Sequence, residues 1–126
     1  GVAGLGLMGR PMARHLSDAG ASVALWNRTH LVAERLARPG MAVVATPGEL
    51  AARSDVVVLM LADTGAVEQV LFAADGLADG LQGGSLLIDM GTTAVMATRD
   101  FAARLAGRGP VTAGRRVPGQ RKGQRP

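Results

Sequence analysis

Gly4-Leu5-Gly6-Leu7-Met8-Gly9-Arg10-Pro11-Met12-Ala13-Arg14-His15-Leu16 is the stretch that decides the fold. Its three glycines stand at G-x-G-x-x-G spacing, and where a strand hands over to a helix each has a separate task. Gly4 allows the tight turn. Gly6 lacks a Cβ and lets the backbone approach a pyrophosphate, held by the N–H groups and positive end of the helix, with Leu5, Leu7 and Met8 filling the turn. Gly9 lets the helix pack close to the strand. Because 18 glycines in 126 residues make such spacing easy to meet by chance, the surroundings matter. Pro11 falls in the first helical turn, where a missing N–H costs little, and Gly20 ends the helix. Met8, Met12, Leu16 and Ala19 recur on one helical face. The reading is a nucleotide cofactor site.

From there to residue 107 strand-like and helix-like segments alternate, as in a Rossmann-type, doubly wound parallel α/β sheet. Strands are expected over Ser22–Trp26, Met41–Ala45, Asp55–Leu61 and Leu86–Asp89. The unbroken apolar run Val56-Val57-Val58-Leu59 suits a strand buried on both faces, which places it at the centre of the sheet. Thr29 is placed to cap a helix over His30–Arg38, and Thr46-Pro47-Gly48-Glu49 has the form of a capping box opening a short helix to Arg53. Further helices are expected over Thr64–Phe72 and from Thr92 or Thr93 to Ala106, with a short turn in the Gly-rich loop between them. The first strand is expected to be short, since the chain begins directly in it without methionine.

Charge divides the chain in two. Residues 1–107 hold eight arginines against ten acidic residues, whereas residues 108–126 hold five arginines and Lys122 with no acid and lift the formal net charge to +4. This tail is rich in Gly, Pro and Gln and offers only Val111 and Val117 as sizeable apolar groups, too little to offset its ordering entropy. The expectation is one domain over 1–107 and a disordered basic tail over 108–126. An apolar fraction of 48% suits a globular domain, and no run is long enough to span a membrane. The absence of cysteine and of an export leader makes the cytoplasm the expected location.

At the end of the second strand, dinucleotide folds usually carry an acid that accepts hydrogen bonds from the adenosine ribose. This chain has Asn27. A neutral amide does not repel a phosphate, and Arg28 beside it offers a planar fork suited to an added 2′-phosphate, so NADP is favoured over NAD, which stays possible. The bland alternative makes Asn27 a turn residue and Arg28 a solvated charge. His15 and His30 have no partners at metal or triad spacing, Trp26 is expected in the core, and no carboxylate pair stands out. No metal is expected.

With these residues in view, the chain resembles the β-hydroxyacid dehydrogenases, which include 3-hydroxyisobutyrate dehydrogenase, tartronate semialdehyde reductase and 6-phosphogluconate dehydrogenase. The family pattern G-L-G-x-M-G-x-P-M-A-x-[NH]-L is met from Gly4 to Leu16, and Asn27-Arg28-Thr29 is similar to its N-R-T. Asp55-Val56-Val57, Gly76-Leu77 and Ile88-Asp89-Met90 extend the likeness to about Gly107. The resemblance implies that Leu61, Ala62 and Ala66 lie against the cofactor and that Thr92 lies near the nicotinamide. Ala62 stands where the family usually has proline, and Gly91 where it has serine.

The resemblance also implies parts that are not recognisable here: a sixth strand, a substrate-gripping Ser-Gly-Gly turn and a helix with a catalytic lysine before a helical second domain. Pro110-Val111-Thr112-Ala113-Gly114 is at most a degraded form of that turn. Lys122, the one lysine, lacks the family's flanking asparagines, so no catalytic residue is assigned. The expected function is the NADP-binding part of an oxidoreductase that interconverts a small 3-hydroxy or 2-hydroxy acid and its semialdehyde or oxo form. The chain reads as truncated before the catalytic lysine, and turnover is expected only if the missing domain is supplied. The alternatives are an inert NADP binder, or a polyanion binder acting through the tail. Nucleic acid is disfavoured because no aromatic residue is interleaved with the tail charges.

A slip of reading frame near Arg108 would explain the abrupt loss of acids and apolar residues. Gene sequencing is then expected to show a second domain in another downstream frame, and an intact frame with no such domain excludes the slip.

Overall fold

The computed structural model describes residues 1–91 and 94–107, and the backbone of 112–115. The order is β1 (Val2–Ala3), α1 (Gly9–Asp18), β2 (Val23–Trp26), α2 (His30–Leu36), β3 (Met41–Val43) and α3 (Pro47–Ala52). It continues with β4 (Val56–Leu59), α4 (Thr64–Phe72), α5 (Leu77–Gly80), β5 (Leu86–Asp89), α6 (Val95–Ala106) and β6 (Thr112–Arg115). All pairings are parallel, in the order β3-β2-β1-β4-β5-β6. The apolar run of β4 lies beside β1 at the centre, as its composition demands.

Alternation along the strands divides the core into two. Val2, Val23 and Leu25 point to one face, where Ala13 of α1 and Ala33 and Leu36 of α2 cover them. Ala3, Ala24, Val57, Leu59 and Leu87 point to the other, under α3, α4, α5 and α6. There Phe72 and Phe101 meet at 5.7 Å between ring centroids, and the Arg104 guanidinium stacks over Phe72.

Side-chain caps close the starts of α3 and α4, whereas Thr29, expected to cap α2, stands at its N-cap position without a side-chain bond to the helix. The Thr46 hydroxyl accepts from the Glu49 N–H at 3.1 Å while the Glu49 carboxylate reaches back to the Ala45 N–H at 3.2 Å, one residue earlier than a strict capping box. Asp63, not singled out from the sequence, caps α4 by accepting from the Ala66 N–H at 2.8 Å. Helix α2 ends at Leu36 rather than Arg38. The expected caps Thr92 and Thr93 lie outside the described residues.

Two expectations meet a different arrangement. Helix α1 buries Gly9 and Ala13, not the stripe of Met8, Met12, Leu16 and Ala19, because small residues let a helix lie closest to a sheet. Its Leu16 instead borders a groove with Val56, Val58 and Ile88, on the sheet face that α1 and α2 leave open. At the other end, the stretch expected to lack structure contains β6, paired from Leu86↔Thr112 to Asp89↔Arg115. A sheet edge pairs through backbone groups that every residue but proline offers, so side-chain composition was a poor guide to these four residues. The rest of residues 108–126 lies outside the described residues.

Leu50 of α3 is fully buried in the larger core, so Leu50→Ala is expected to cost about 2–5 kcal/mol in urea unfolding. Exposed Leu31→Ala is expected to stay within about 0.5 kcal/mol.

Candidate cofactor site

The strand order reverses direction of winding between β1 and β4, and their carboxyl ends open a crevice there. Gly4 sits at its base with φ +98°, and a Cβ on it would collide with the Met60 carbonyl oxygen. A Cβ on Gly9 would collide with the Gly4 carbonyl oxygen. Three backbone segments therefore meet with no side chain between them. At Gly6, by contrast, a Cβ would meet nothing within 4 Å. No contact among the described residues requires that glycine.

Both peptide groups of Leu5 are held by side chains from elsewhere. The Leu5 N–H donates to Asn27 Oδ1 at 2.9 Å, and the Leu5 carbonyl accepts from Arg10 Nε at 2.8 Å. Asn27 Nδ2 donates in turn to the Thr29 carbonyl at 3.0 Å. Asn27 thus brackets the glycine turn to the turn after β2, a role that an acid could fill only in part. Helix α1, with Met8 at its N-cap, has no side-chain cap, unlike α3 and α4, and no acid in its first turn. In its first turn Pro11 has no N–H and the Arg10 N–H donates to the Gly6 carbonyl at 3.2 Å, while Leu7 in the preceding turn is 92% exposed.

Beside the turn, a cleft of about 520 Å³ runs between the end of β2 and α4. Of the residues singled out in the sequence it brings together Arg28, Leu61 and Ala66, and adds Trp26, Asp63, Gln69 and Val70. Trp26, expected in the core, does pack against it but also lines this cleft; its place directly before Asn27-Arg28 was the available signal. Ala62 and Thr29 are exposed near the rim, and Thr92 lies outside the described residues. Below that gap, Asp89 Oδ1 accepts from the Gly91 N–H at 2.9 Å, and a Cβ on Gly91 would stand 2.7 Å from the Leu61 carbonyl oxygen. Gly91 thus lets the loops after β4 and β5 lie close together. The Thr64 hydroxyl accepts from the Ala94 N–H at 3.1 Å and ties the same two loops.

Away from the crevice, His15 is exposed and His30 pairs with Glu34 at 3.1 Å. No group of three His, Asp or Glu among the described residues is placed to hold a metal ion. No described helix is long and apolar enough to cross a membrane.

Asn27→Ala leaves the buried Leu5 N–H without its partner and is expected to cost about 1–3 kcal/mol in denaturant unfolding. Asn27→Asp keeps the acceptor, loses the donor and is expected to cost less; equal losses would contradict the bracket.

Comparison with known proteins agrees with this geometry. Residues 1–125 match the family described as the NAD binding domain of 6-phosphogluconate dehydrogenase. An uncharacterized oxidoreductase of Bacillus subtilis, YfjR, is 39% identical over 108 residues, covering 86% of this chain and 38% of the relative. The structure of Mycobacterium tuberculosis 3-hydroxyisobutyrate dehydrogenase with L-serine superposes with a TM-score of 0.79 at 28% identity, covering 89% of this chain and 37% of that one. An imine reductase from Myxococcus stipitatus in complex with NADP+ gives 0.78 at 26% identity, over 90% and 39%. The chain spans less than two-fifths of the length of these proteins. It belongs to the β-hydroxyacid dehydrogenase family, of which it is the NAD(P)-binding domain.

Proposed function

We propose that this domain holds NADP(H) for hydride transfer between a small 3-hydroxy or 2-hydroxy acid and its semialdehyde or oxo form. The observation that carries the reading is the glycine turn: Gly4 and Gly9 are required by protein contacts, whereas Gly6 faces open space where a Cβ would crowd a ligand. Gly6 and the uncapped start of α1 would hold the pyrophosphate, with Leu5, Leu7 and Met8 shaping the turn. Arg28 and Thr29 would meet the 2′-phosphate of NADP, and NAD would bind with less to grip it. The cleft of Trp26, Arg28, Leu61 and Ala66 suits the adenosine, with Ala62 beside it and Thr92 toward the nicotinamide.

When bound, the nicotinamide supplies the hydride-exchanging carbon. This chain's residues bind and orient the cofactor. A proton-transferring group would come from the length that relatives have and this chain does not span; Lys122 lacks the sequence setting for it. That 3-hydroxyisobutyrate dehydrogenase shares the fold supports the substrate class. The cysteine-free sequence fits a reducing compartment, so we place the chain in the cytoplasm, with no role in nucleic acid binding.

A thermal-shift titration tests the reading. NADP+ is expected to raise the midpoint more than NAD+ at equal concentration, since ligand binding to the native state stabilises it. Arg28→Ala should lose about tenfold to a hundredfold in NADP+ affinity, the worth of a charge-assisted bond, with little change for NAD+. Gly6→Ala should keep the midpoint of the free protein and weaken both cofactors, while Gly9→Ala should lower the midpoint itself. Equal binding of NADP+ and NAD+ refutes the role of Arg28, and an unaffected Gly6→Ala refutes the pyrophosphate site.

A further inference from the structure

Three arginines line one cleft between the first two helices. Arg10 and Arg14 stand one turn apart on α1, Arg35 faces them from α2, and Val32 and Leu36 complete a space of about 200 Å³. No carboxylate answers them among the described residues. The acids carried by these helices are engaged elsewhere: Asp18 pairs with Arg38 at 3.1 Å and Glu34 with His30 at 3.1 Å. Arg10 uses only Nε, on the Leu5 carbonyl, and Arg14 and Arg35 have no hydrogen bond or ion pair among the described residues.

Like charges gathered over an apolar floor repel one another, more strongly than they would in open water. A multiply charged anion removes that repulsion and gains charge-assisted bonds from forks whose geometry matches its oxygens. We propose that the Arg10–Arg14–Arg35 cleft is a second anion site, which takes a free phosphate group: inorganic phosphate or the phosphate of a small metabolite. It is separate from the cofactor crevice. Arg14 lies five residues beyond Gly9, about 7.5 Å down the helix at 1.5 Å per residue, and Arg35 lies well past the start of α2. A phosphate bound there draws on Arg10, and so reaches the glycine turn through the bond to Leu5.

Sodium phosphate titrated into the 126-residue chain, against sodium chloride at matched ionic strength, tests the site by thermal shift. The expected result is a saturable rise on the order of a few degrees that is lost in the Arg14→Gln/Arg35→Gln double variant. A rise that chloride reproduces, or one that survives in the double variant because the basic tail binds the anion, overturns the proposal. Repeating the titration with saturating NADP+ distinguishes the source of the phosphate: additive shifts support a free anion, and competition would assign the cleft to the cofactor's own 2′-phosphate and overturn the separate site. Failure of NADP+ to bind leaves the phosphate arm readable by itself.

Discussion

The close approach of three backbone segments at Gly4, Gly9 and Met60 is the constraint on which the rest depends. Because β1 has only two residues in its ladder, the strand alone cannot fix the direction of α1; the contact of Gly9 with the Gly4 carbonyl does so. The same glycine turn meets the end of β4, and this junction sets where the crevice opens. Arg10 and Asn27 then hold the two peptide groups of Leu5, so that the turn is braced from its own helix and from the neighbouring strand.

The helix starts are closed in different ways. A side chain closes those of α3 and α4, where Thr46 and Asp63 accept from backbone N–H groups. Those of α1, α2, α5 and α6 carry no side-chain cap, and at α1 the Arg10 N–H donates instead to the Gly6 carbonyl. An N–H at a helix start that no side chain takes is open to another acceptor.

The two faces of the sheet are finished unequally. One is covered along β1, β2, β4 and β5 by α3 to α6, and the other is covered over β1 and β2 by α1 and α2 but leaves Val56 40% exposed on β4. The helix pair on the second face also carries the three uncompensated arginines. Cofactor crevice, open apolar groove and basic cleft thus all border α1, whose buried face is made of residues too small to fill space.

Local chemistry was readable from the sequence because it acts over a few residues. The glycine spacing, the Thr46 cap, the bounds Leu86–Asp89 and Thr64–Phe72, and the central place of the Val-rich strand each follow from turn stereochemistry, capping or periodicity. What side chains do across the fold was not readable, because it depends on distances that chain order does not set. That Asn27 brackets two turns had no signal in the sequence; Trp26 serves both core and cleft; Arg10, Arg14 and Arg35 became neighbours only when two helices packed side by side. Thr112–Arg115 joined the sheet because β5 offered an edge of unpaired peptide groups. The sequence by itself determined the order of elements as far as α6 and the kind of ligand, through rules local to each turn, and the tertiary structure alone decided which charges and backbone groups would meet.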